Sequence, residues 1–173
     1  YYGSAALLVA PDSTEQVSQI MQAAAQAWIA VVPYGGGTGL VGGQILPSVE
    51  DGAPAPLILS LERMRRIRAS YPDENVLVVE AGAVLAEVQA AAAQVNRLFP
   101  LSLASEGTAQ IGGLLATNAG GVNVLRYGMA RDQVLGIEAV MADGQIFNGL
   151  KCLRKDNTGS DLRHFLVWSG GPL

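Results

Sequence analysis

The chain has 173 residues, a length that favours one domain or two small ones. Hydrophobic residues make up 50% of it and charged residues 15%, which is too apolar for a disordered chain. The formal charge of −4 offers no basic surface for phosphates, so we expect no nucleic-acid partner. One cysteine and one histidine exclude an intrachain disulfide and a four-cysteine zinc site, and we expect no metal.

Hydrophobic stretches, the first residues and the cysteine count indicate the compartment and any membrane segment. No uninterrupted apolar stretch reaches the roughly 18 residues of a membrane span, so no transmembrane segment is expected. The start at Tyr1 has no basic region and no Met, which predicts that the chain begins inside a longer gene product. The single cysteine favours a reducing compartment. We therefore expect a cytoplasmic protein, with a peripheral position at the inner membrane left open.

The first third of the chain reads as strand, helix and strand. Residues 5–9 and 29–33 are apolar enough for strands, and Asp12 or Ser13 can cap a helix that follows. Helical spacing relates the apolar residues Val17, Ile20, Met21, Ala24, Ala27 and Trp28.

The later elements follow in an irregular order. Strands are predicted over 57–61, 66–71 and 76–80, helices over 83–95 and 160–167, and a hairpin over 134–148 with a turn at Asp143-Gly144. A basic run over 63–68 is interrupted by apolar residues and fits a strand with one solvated face. This order predicts an α+β fold and not a regular βαβ array.

The first glycine segment, residues 35–43, follows a predicted strand. Its sequence from Gly37 to Gly42 matches G-x-G-x-x-G, the dinucleotide fingerprint of Rossmann domains. That fingerprint must open a helix, whereas prolines at 47, 54 and 56 forbid one here. We therefore reject the Rossmann fold. A run of small residues still allows backbone amides to surround an anion, so a ligand-binding loop is favoured over a plain surface loop.

The second glycine segment, residues 105–121, carries Glu106 as its single charge and is predicted to be a loop. Two glycine-rich segments with hydroxyl groups suggest a long ligand that is bound at two places. A dinucleotide with a diphosphate fits this arrangement better than a mononucleotide does.

Both segments resemble the FAD-binding (PCMH-type) domain of the vanillyl-alcohol-oxidase flavoproteins. Residues 33–43 are similar to the first pyrophosphate loop of that family, and residues 111–121 are similar to the second. Arg126-Tyr127-Gly128, the strand from Val134 and the stretch 155–159 follow in the expected order. The D-2-hydroxyacid dehydrogenases, which include D-lactate dehydrogenase, the glycolate oxidase flavin subunit and D-2-hydroxyglutarate dehydrogenase, are the most similar branch.

The resemblance implies a two-lobed α+β FAD domain, with residues 1–62 in the first lobe and 63–173 in the second. In several relatives a histidine of the first loop tethers FAD, and its absence here implies noncovalent FAD. FAD would accept hydride from a small 2-hydroxy acid bound in the full-length enzyme. The implied cofactor-binding residues are Pro33, Tyr34, Gly35, Gly36, Gly37, Thr38, Gly39, Leu40, Gly42, Gly107, Gly112, Gly113, Thr117, Asn118, Ala119, Gly120, Tyr127, Gly128 and Ile137.

The end of the chain departs from the family pattern. A third glycine loop is expected after Asp161, but Trp168, Gly170 and Pro172 replace its glycine, glutamate and threonine. We expect the domain to be C-terminally truncated, the substrate (cap) domain to be absent, and no catalytic residue to lie in this chain. A truncated edge predicts self-association. Two alternatives stay open: a non-catalytic, degenerate nucleotide-binding module, and a relative of the cell-wall enolpyruvyl-sugar reductase.

Overall fold

The computed structural model describes residues 7–46, 54–150 and 163–167. Helices and strands alternate irregularly, which confirms the α+β prediction. The third glycine loop predicted at the end of the chain lies outside the described residues.

A parallel sheet of three strands forms the first part of the fold. Its strands are β1 (Leu7–Val9), β2 (Val31–Tyr34) and β3 (Leu57–Ser60), in the order β1-β3-β2. Helix α1 (Thr14–Gln26) connects β1 to β2. Ser13 caps it, because its hydroxyl oxygen accepts a hydrogen bond from the backbone N of Gln16 at 3.3 Å. The predicted strand, cap and helix are confirmed over these residues.

Helix α1 ends in a left-handed residue. The backbone N of Ile29 donates to the carbonyl of Ala24, and that of Trp28 donates to the carbonyl of Ala25. These two bonds define a Schellman motif, in which the residue at Trp28 takes a positive φ, here 54°. The prediction that Trp28 lies on the apolar face of α1 is therefore wrong. The side chain is 90% exposed because the helix has already ended.

An antiparallel hairpin and a second helix form the next part. Strands β4 (Ile67–Tyr71) and β5 (Val76–Val79) pair, and helix α2 (Leu85–Gln94) follows. These elements confirm the predicted hairpin and helix. Strand β4 begins at Ile67, so most of the basic run precedes it, and the interpretation of that run as a strand with a solvated face is wrong for residues 63–66.

The second glycine segment contains a helix. Helix α3 (Ile111–Ala116) occupies its centre, followed by helix α4 (Val124–Tyr127) and a 3-10 turn (Ala130–Gln133). The prediction of a continuous loop is wrong here. Ile111 and Leu114 are buried in a cluster with Leu85, Val88 and other apolar residues, and this burial outweighs the low helix propensity of Gly-Gly.

A second hairpin closes the fold against α1. Strands β6 (Ile137–Val140) and β7 (Ile146–Gly149) pair antiparallel, as predicted. The Ser18 hydroxyl on α1 donates to the Gly144 carbonyl in the hairpin turn at 2.6 Å. Val140 packs against the cluster formed by Val17, Leu59 and Met64. Helix α5 (Arg163–Leu166) is the described part of the last predicted helix.

Candidate functional site

A large cleft runs along both glycine segments. Its volume is about 2080 Å³, roughly twice the upper end of the usual range for small-molecule sites. The carboxyl end of β2, the β4–β5 hairpin, helix α3 and strand β6 all contribute to its walls. The cleft is therefore large enough for an extended ligand that spans several elements.

Most of the sequence-predicted cofactor residues line this cleft. Four of them do not: Gly107, Asn118, Gly120 and Gly128. Those that line it are Pro33, Tyr34, Gly35, Gly36, Gly37, Thr38, Gly39, Leu40, Gly42, Gly112, Gly113, Thr117, Ala119, Tyr127 and Ile137. The structure thus brings residues from both glycine segments to one cavity.

The two glycine segments touch each other directly. A β-carbon placed on Gly36 would lie 1.9 Å from the carbonyl oxygen of Thr108. A β-carbon on Gly35 would meet the Gln110 side chain at 3.5 Å. Gly36 is consequently required for backbone-to-backbone packing, whether or not a ligand is present.

The first segment folds back on itself after this contact. Gly37 has a φ of 69°, and a β-carbon there would lie 2.7 Å from the Tyr34 hydroxyl. The Gln44 side-chain amide donates to the Gly39 carbonyl at 3.0 Å. The segment is thus an ordered turn, with Leu40 89% exposed along the cleft.

Helix α3 is attached to the segment that follows β5. The Gly112 N–H donates to the Ala81 carbonyl at 2.7 Å, and the Ile111 N–H donates to the Ala83 carbonyl at 2.9 Å. A β-carbon on Gly112 would lie 2.9 Å from that of Ala81. At Gly113, by contrast, a β-carbon would meet nothing within 4 Å. Of these two glycines, Gly113 therefore leaves free space at the cleft surface.

Asn118 and Gly128 have structural partners of their own. Asn118 ends α3 in the left-handed region with a φ of 47°, and its side-chain oxygen accepts the Arg131 N–H at 3.0 Å. A β-carbon on Gly128 would collide with the Asp132 carboxylate at 2.4 Å. The same carboxylate accepts the Met129 N–H at 2.7 Å. These contacts account for both residues without a ligand.

A charged network borders the cleft. The Glu80 side chain is fully buried, and its carboxylate accepts hydrogen bonds from the side chain and backbone N–H of Arg66 and from Arg68. Burial opposes ionisation of this carboxyl, but the arginine hydrogen bonds outweigh burial, so the pKa of Glu80 lies below its usual value. Arg68 also donates to Glu138 at 2.9 Å. Thr14, Arg68, Glu80 and Glu138 all line the cleft.

Sequence reasoning missed the residues that support the second segment. Ala81 and Gln110 were not predicted, although both line the cleft. Gly82 was the available signal, because a β-carbon there would lie 1.9 Å from the Leu61 carbonyl oxygen. A glycine shortly after a strand, here three residues beyond the end of β5, indicates such a close approach of two backbones.

The described part of the chain has neither a metal-binding cluster nor a membrane-spanning helix. Within residues 7–46, 54–150 and 163–167, no group of three or more His, Cys, Asp or Glu side chains is arranged to hold a metal ion. None of the helices in these ranges has the length and hydropathy required to cross a bilayer.

Comparison with known proteins gives close sequence relatives. The D-2-hydroxyglutarate dehydrogenase of Rattus norvegicus is 42% identical over 171 residues, covering 99% of this chain and 31% of the rat protein. That of Arabidopsis thaliana is 40% identical, covering 100% of this chain and 30% of the plant protein. A protein of Schizosaccharomyces pombe with D-lactate dehydrogenase in its name is 39% identical. The chain spans about 30% of the length of these relatives.

Solved structures share the fold at lower identity. An alkyldihydroxyacetonephosphate synthase superposes with a TM-score of 0.79 and 23% identity, over 94% of this chain and 27% of the other. Phl p 4, a grass pollen allergen with glucose dehydrogenase activity, superposes with a TM-score of 0.77 and 19% identity, over 95% of this chain and 31% of the other. These matches confirm the fold of the PCMH-type FAD-binding domain.

The relatives also correct one expectation and fix the family. The rat, plant and fission-yeast proteins are named as mitochondrial, which contradicts the expected cytoplasmic location. A single cysteine bears on redox environment and says nothing about the organelle.

Residues 5–149 match the model of the family described as "FAD binding domain". The chain therefore belongs to the FAD binding domain family, as its motifs indicated.

Proposed function

We propose that this chain holds FAD noncovalently for a protein that oxidises a D-2-hydroxy acid. The proposal is supported by one observation: residues of both glycine segments line the same cleft. The chain that forms this cleft belongs to the FAD binding domain family. The named activities of the relatives, D-2-hydroxyglutarate and D-lactate dehydrogenation, suggest the substrate class.

The residues present fit an extended dinucleotide. The glycine-rich turn from Gly35 to Gly39 offers backbone amides to a diphosphate without side chains in the way. Gly113 leaves open space on the facing wall. We assign the diphosphate to these two places, and the flavin ring to the end of the cleft near Ala119 and Tyr127. Gly107, Asn118, Gly120 and Gly128 would support the cofactor through the turns they form and not by direct contact.

Bound FAD would supply hydride acceptance, and the chain would bind and orient the cofactor. The first glycine segment from Gly35 to Gly43 contains no histidine, cysteine or tyrosine that could form a covalent link there. This composition supports noncovalent attachment. We assign no catalytic residue to the chain, and we place the groups that contact the acid in the remainder of a protein of the relatives' length.

A two-lobe division at residue 62 is retained as part of the proposal. Two separate apolar clusters accompany this division, one centred on Val17 and Leu59 and the other on Leu85, Val88 and Leu114. Met64 and Val140, from beyond residue 62, pack in the first cluster, so the second lobe contacts the first lobe there. FAD would then lie between the lobes, in contact with both glycine segments.

FAD titration of the purified chain tests the assignment. Quenching of flavin fluorescence measures the Kd for wild type, for Gly113→Leu and for Ala93→Leu. Gly113→Leu places a side chain in the cleft, whereas Ala93 is an exposed residue of helix α2 that does not line it. We expect saturable binding that Gly113→Leu weakens and Ala93→Leu leaves unchanged. Equal Kd values for both variants would contradict the placement of FAD on α3.

The activity is tested in a protein of the relatives' full length that contains this chain. D-2-hydroxyglutarate, D-lactate or glycolate is added, and reduction of the bound FAD is monitored as a loss of its visible absorbance. Bleaching by one of these 2-hydroxy acids is the expected result. An oxidised spectrum with all three acids would contradict the substrate class.

A further inference from the structure

We propose that Arg68 is a positioning residue that fixes the two glycine segments relative to each other and thereby sets the affinity of the cleft for FAD. The part that concerns FAD rests on the proposed function. The guanidinium group of Arg68 joins three elements that are distant in sequence.

The first contact of Arg68 is with the buried carboxylate of Glu80. Arg68 Nε donates to Glu80 Oε1 at 3.3 Å, and the Glu80 side chain has no exposed surface. Arg66 contacts the same oxygen but its side chain is 69% exposed, against 32% for Arg68. Arg68 is therefore the more shielded of the two cations, and its hydrogen bonds are less weakened by solvent.

The second set of contacts of Arg68 involves helix α1, which precedes strand β2 and the first glycine segment, and strand β6. Arg68 Nη1 donates to Glu138 Oε1 at 2.9 Å, and Arg68 Nη2 donates to the Thr14 hydroxyl oxygen at 3.2 Å. The Thr14 hydroxyl in turn donates to Glu138 Oε1 at 2.8 Å. Thr14 is the first residue of α1, which leads directly into β2 and the first glycine segment. The guanidinium thus connects helix α1 to strand β6.

Glu80 links Arg68 to the second glycine segment. Ala81 follows Glu80 directly, and its carbonyl accepts the Gly112 N–H at 2.7 Å. Ala83 accepts the Ile111 N–H in the same way. The start of helix α3 is consequently anchored to a short segment whose first residue, Glu80, is held by Arg66 and Arg68 together. Of these two arginines, Arg68 is the one that also bonds to Thr14 and Glu138. A change at Arg68 is expected to loosen both glycine segments at once.

An arginine suits this position better than a lysine does. Three separate nitrogens of the Arg68 guanidinium donate to Glu80, Glu138 and Thr14. A lysine ammonium is a point charge on a flexible stem and lacks the rigid planar fork that spans these acceptors. Arg68→Lys should therefore restore part of what Arg68→Met removes.

The first experiment needs no ligand. Hydrogen exchange is compared in wild type, Arg68→Met and the matched control Arg65→Met, which removes the ion pair between Arg65 and Glu87 outside the cleft. We expect the amides of Ile111 and Gly112 to exchange about tenfold faster in Arg68→Met, with the amides of helix α2 unchanged. Equal exchange in wild type and Arg68→Met would overturn the proposal, as would a uniform increase that includes α2.

The second experiment measures the Kd for FAD in the same variants and in Arg68→Lys, well below every unfolding temperature. We expect about a tenfold increase for Arg68→Met, an intermediate value for Arg68→Lys, and the wild-type value for Arg65→Met. An unchanged Kd in Arg68→Met would overturn the link to affinity. No FAD binding by wild type would overturn the proposed function, whereas the exchange result would still decide whether Arg68 positions the start of helix α3 in the second glycine segment.

Discussion

Gly36 and Thr108 lie in backbone contact where the two glycine segments meet, and the space between them has no room for a β-carbon. We expect Gly36→Ala to destabilise the fold by about 1–3 kcal/mol, because the carbonyl of Thr108 must move away. Denaturant unfolding measures the change. Gly43→Ala is the matched control, since a β-carbon at Gly43 meets nothing within 4 Å. Equal unfolding free energies for the two variants would contradict the contact.

Gly113→Ala should separate stability from ligand binding. Gly113 lies inside helix α3 with open space around its α-carbon, so alanine is expected to stabilise the helix by about 0.5–1 kcal/mol. The same methyl group enters the proposed FAD site, so the Kd for FAD should rise. Thermal unfolding and flavin quenching on one preparation measure both effects. A lower unfolding temperature would refute the helical assignment, and an unchanged Kd would place FAD elsewhere.

Trp28→Gly should stabilise the protein. Trp28 occupies the left-handed position of a Schellman motif with a φ of 54°, and its exposed side chain contributes little packing. The left-handed conformation destabilises a bulky residue by about 1–2 kcal/mol. Glycine removes this strain, but it also raises the entropy of the unfolded chain, which offsets part of the gain. We therefore expect the unfolding free energy to rise by about 0.5–1 kcal/mol.

Asn96→Gly provides the comparison for Trp28→Gly. Asn96 ends helix α2 with a φ of 55° and the same pair of hydrogen bonds, but asparagine tolerates this region. We expect its unfolding free energy to change by less than that of Trp28→Gly. A larger gain at Asn96 would count against the conformational explanation.

The Glu80 carboxylate should make the fold sensitive to acid. Its pKa in the folded state is lowered, because the arginine hydrogen bonds outweigh the effect of burial. The stabilisation is therefore complete above the unfolded pKa of about 4.3 and is lost as the pH falls through the lower folded pKa. We expect Glu80→Gln to lose about 1.5–3 kcal/mol at pH 7.

Unfolding free energies measured between pH 7 and pH 3 test this linkage. The wild-type curve should fall toward acid, and Glu80→Gln should flatten it. Glu87 also has a lowered pKa through Arg65, but its side chain is 43% exposed, so Glu87→Gln should flatten the curve less. A Glu80→Gln curve parallel to that of wild type would contradict the assignment.

Local sequence rules predicted the elements whose signals are local. Ser13 precedes a helix with apolar spacing, and Asp143-Gly144 separates two alternating strands, so α1 and the β6–β7 hairpin were both predictable. Trp28 was misplaced because helical spacing continues past the residue where the helix stops. Helix α3 was missed because its Gly-Gly pair has a low helix propensity and its apolar face is short. The helix is stabilised by the burial of Leu114 against α2, which is a tertiary contact.

The cleft itself could be inferred from sequence but its supports could not. Repeated glycines indicated two ligand-facing segments, and the structure brings them together. The contact of Gly36 with Thr108 and the three acceptors of Arg68 depend on tertiary folding, which no local pattern encodes. Asn118 was selected for its place in a motif, whereas its position at the end of α3 explains the residue through backbone conformation.

The bond between Ser18 and Gly144 has a consequence for synthesis of the chain. Its partners are 126 positions apart, and those of the Thr14–Glu138 bond are 124 apart. A ribosome adds roughly 5–20 residues per second, so α1 waits on the order of ten seconds before the hairpin that covers it exists. During that interval Val17 can already pack against Leu59 of β3, but the surface of α1 around Thr14 and Ser18 stays uncovered. Mutations that delay the β6–β7 hairpin should therefore reduce the yield of folded protein before they change its measured stability.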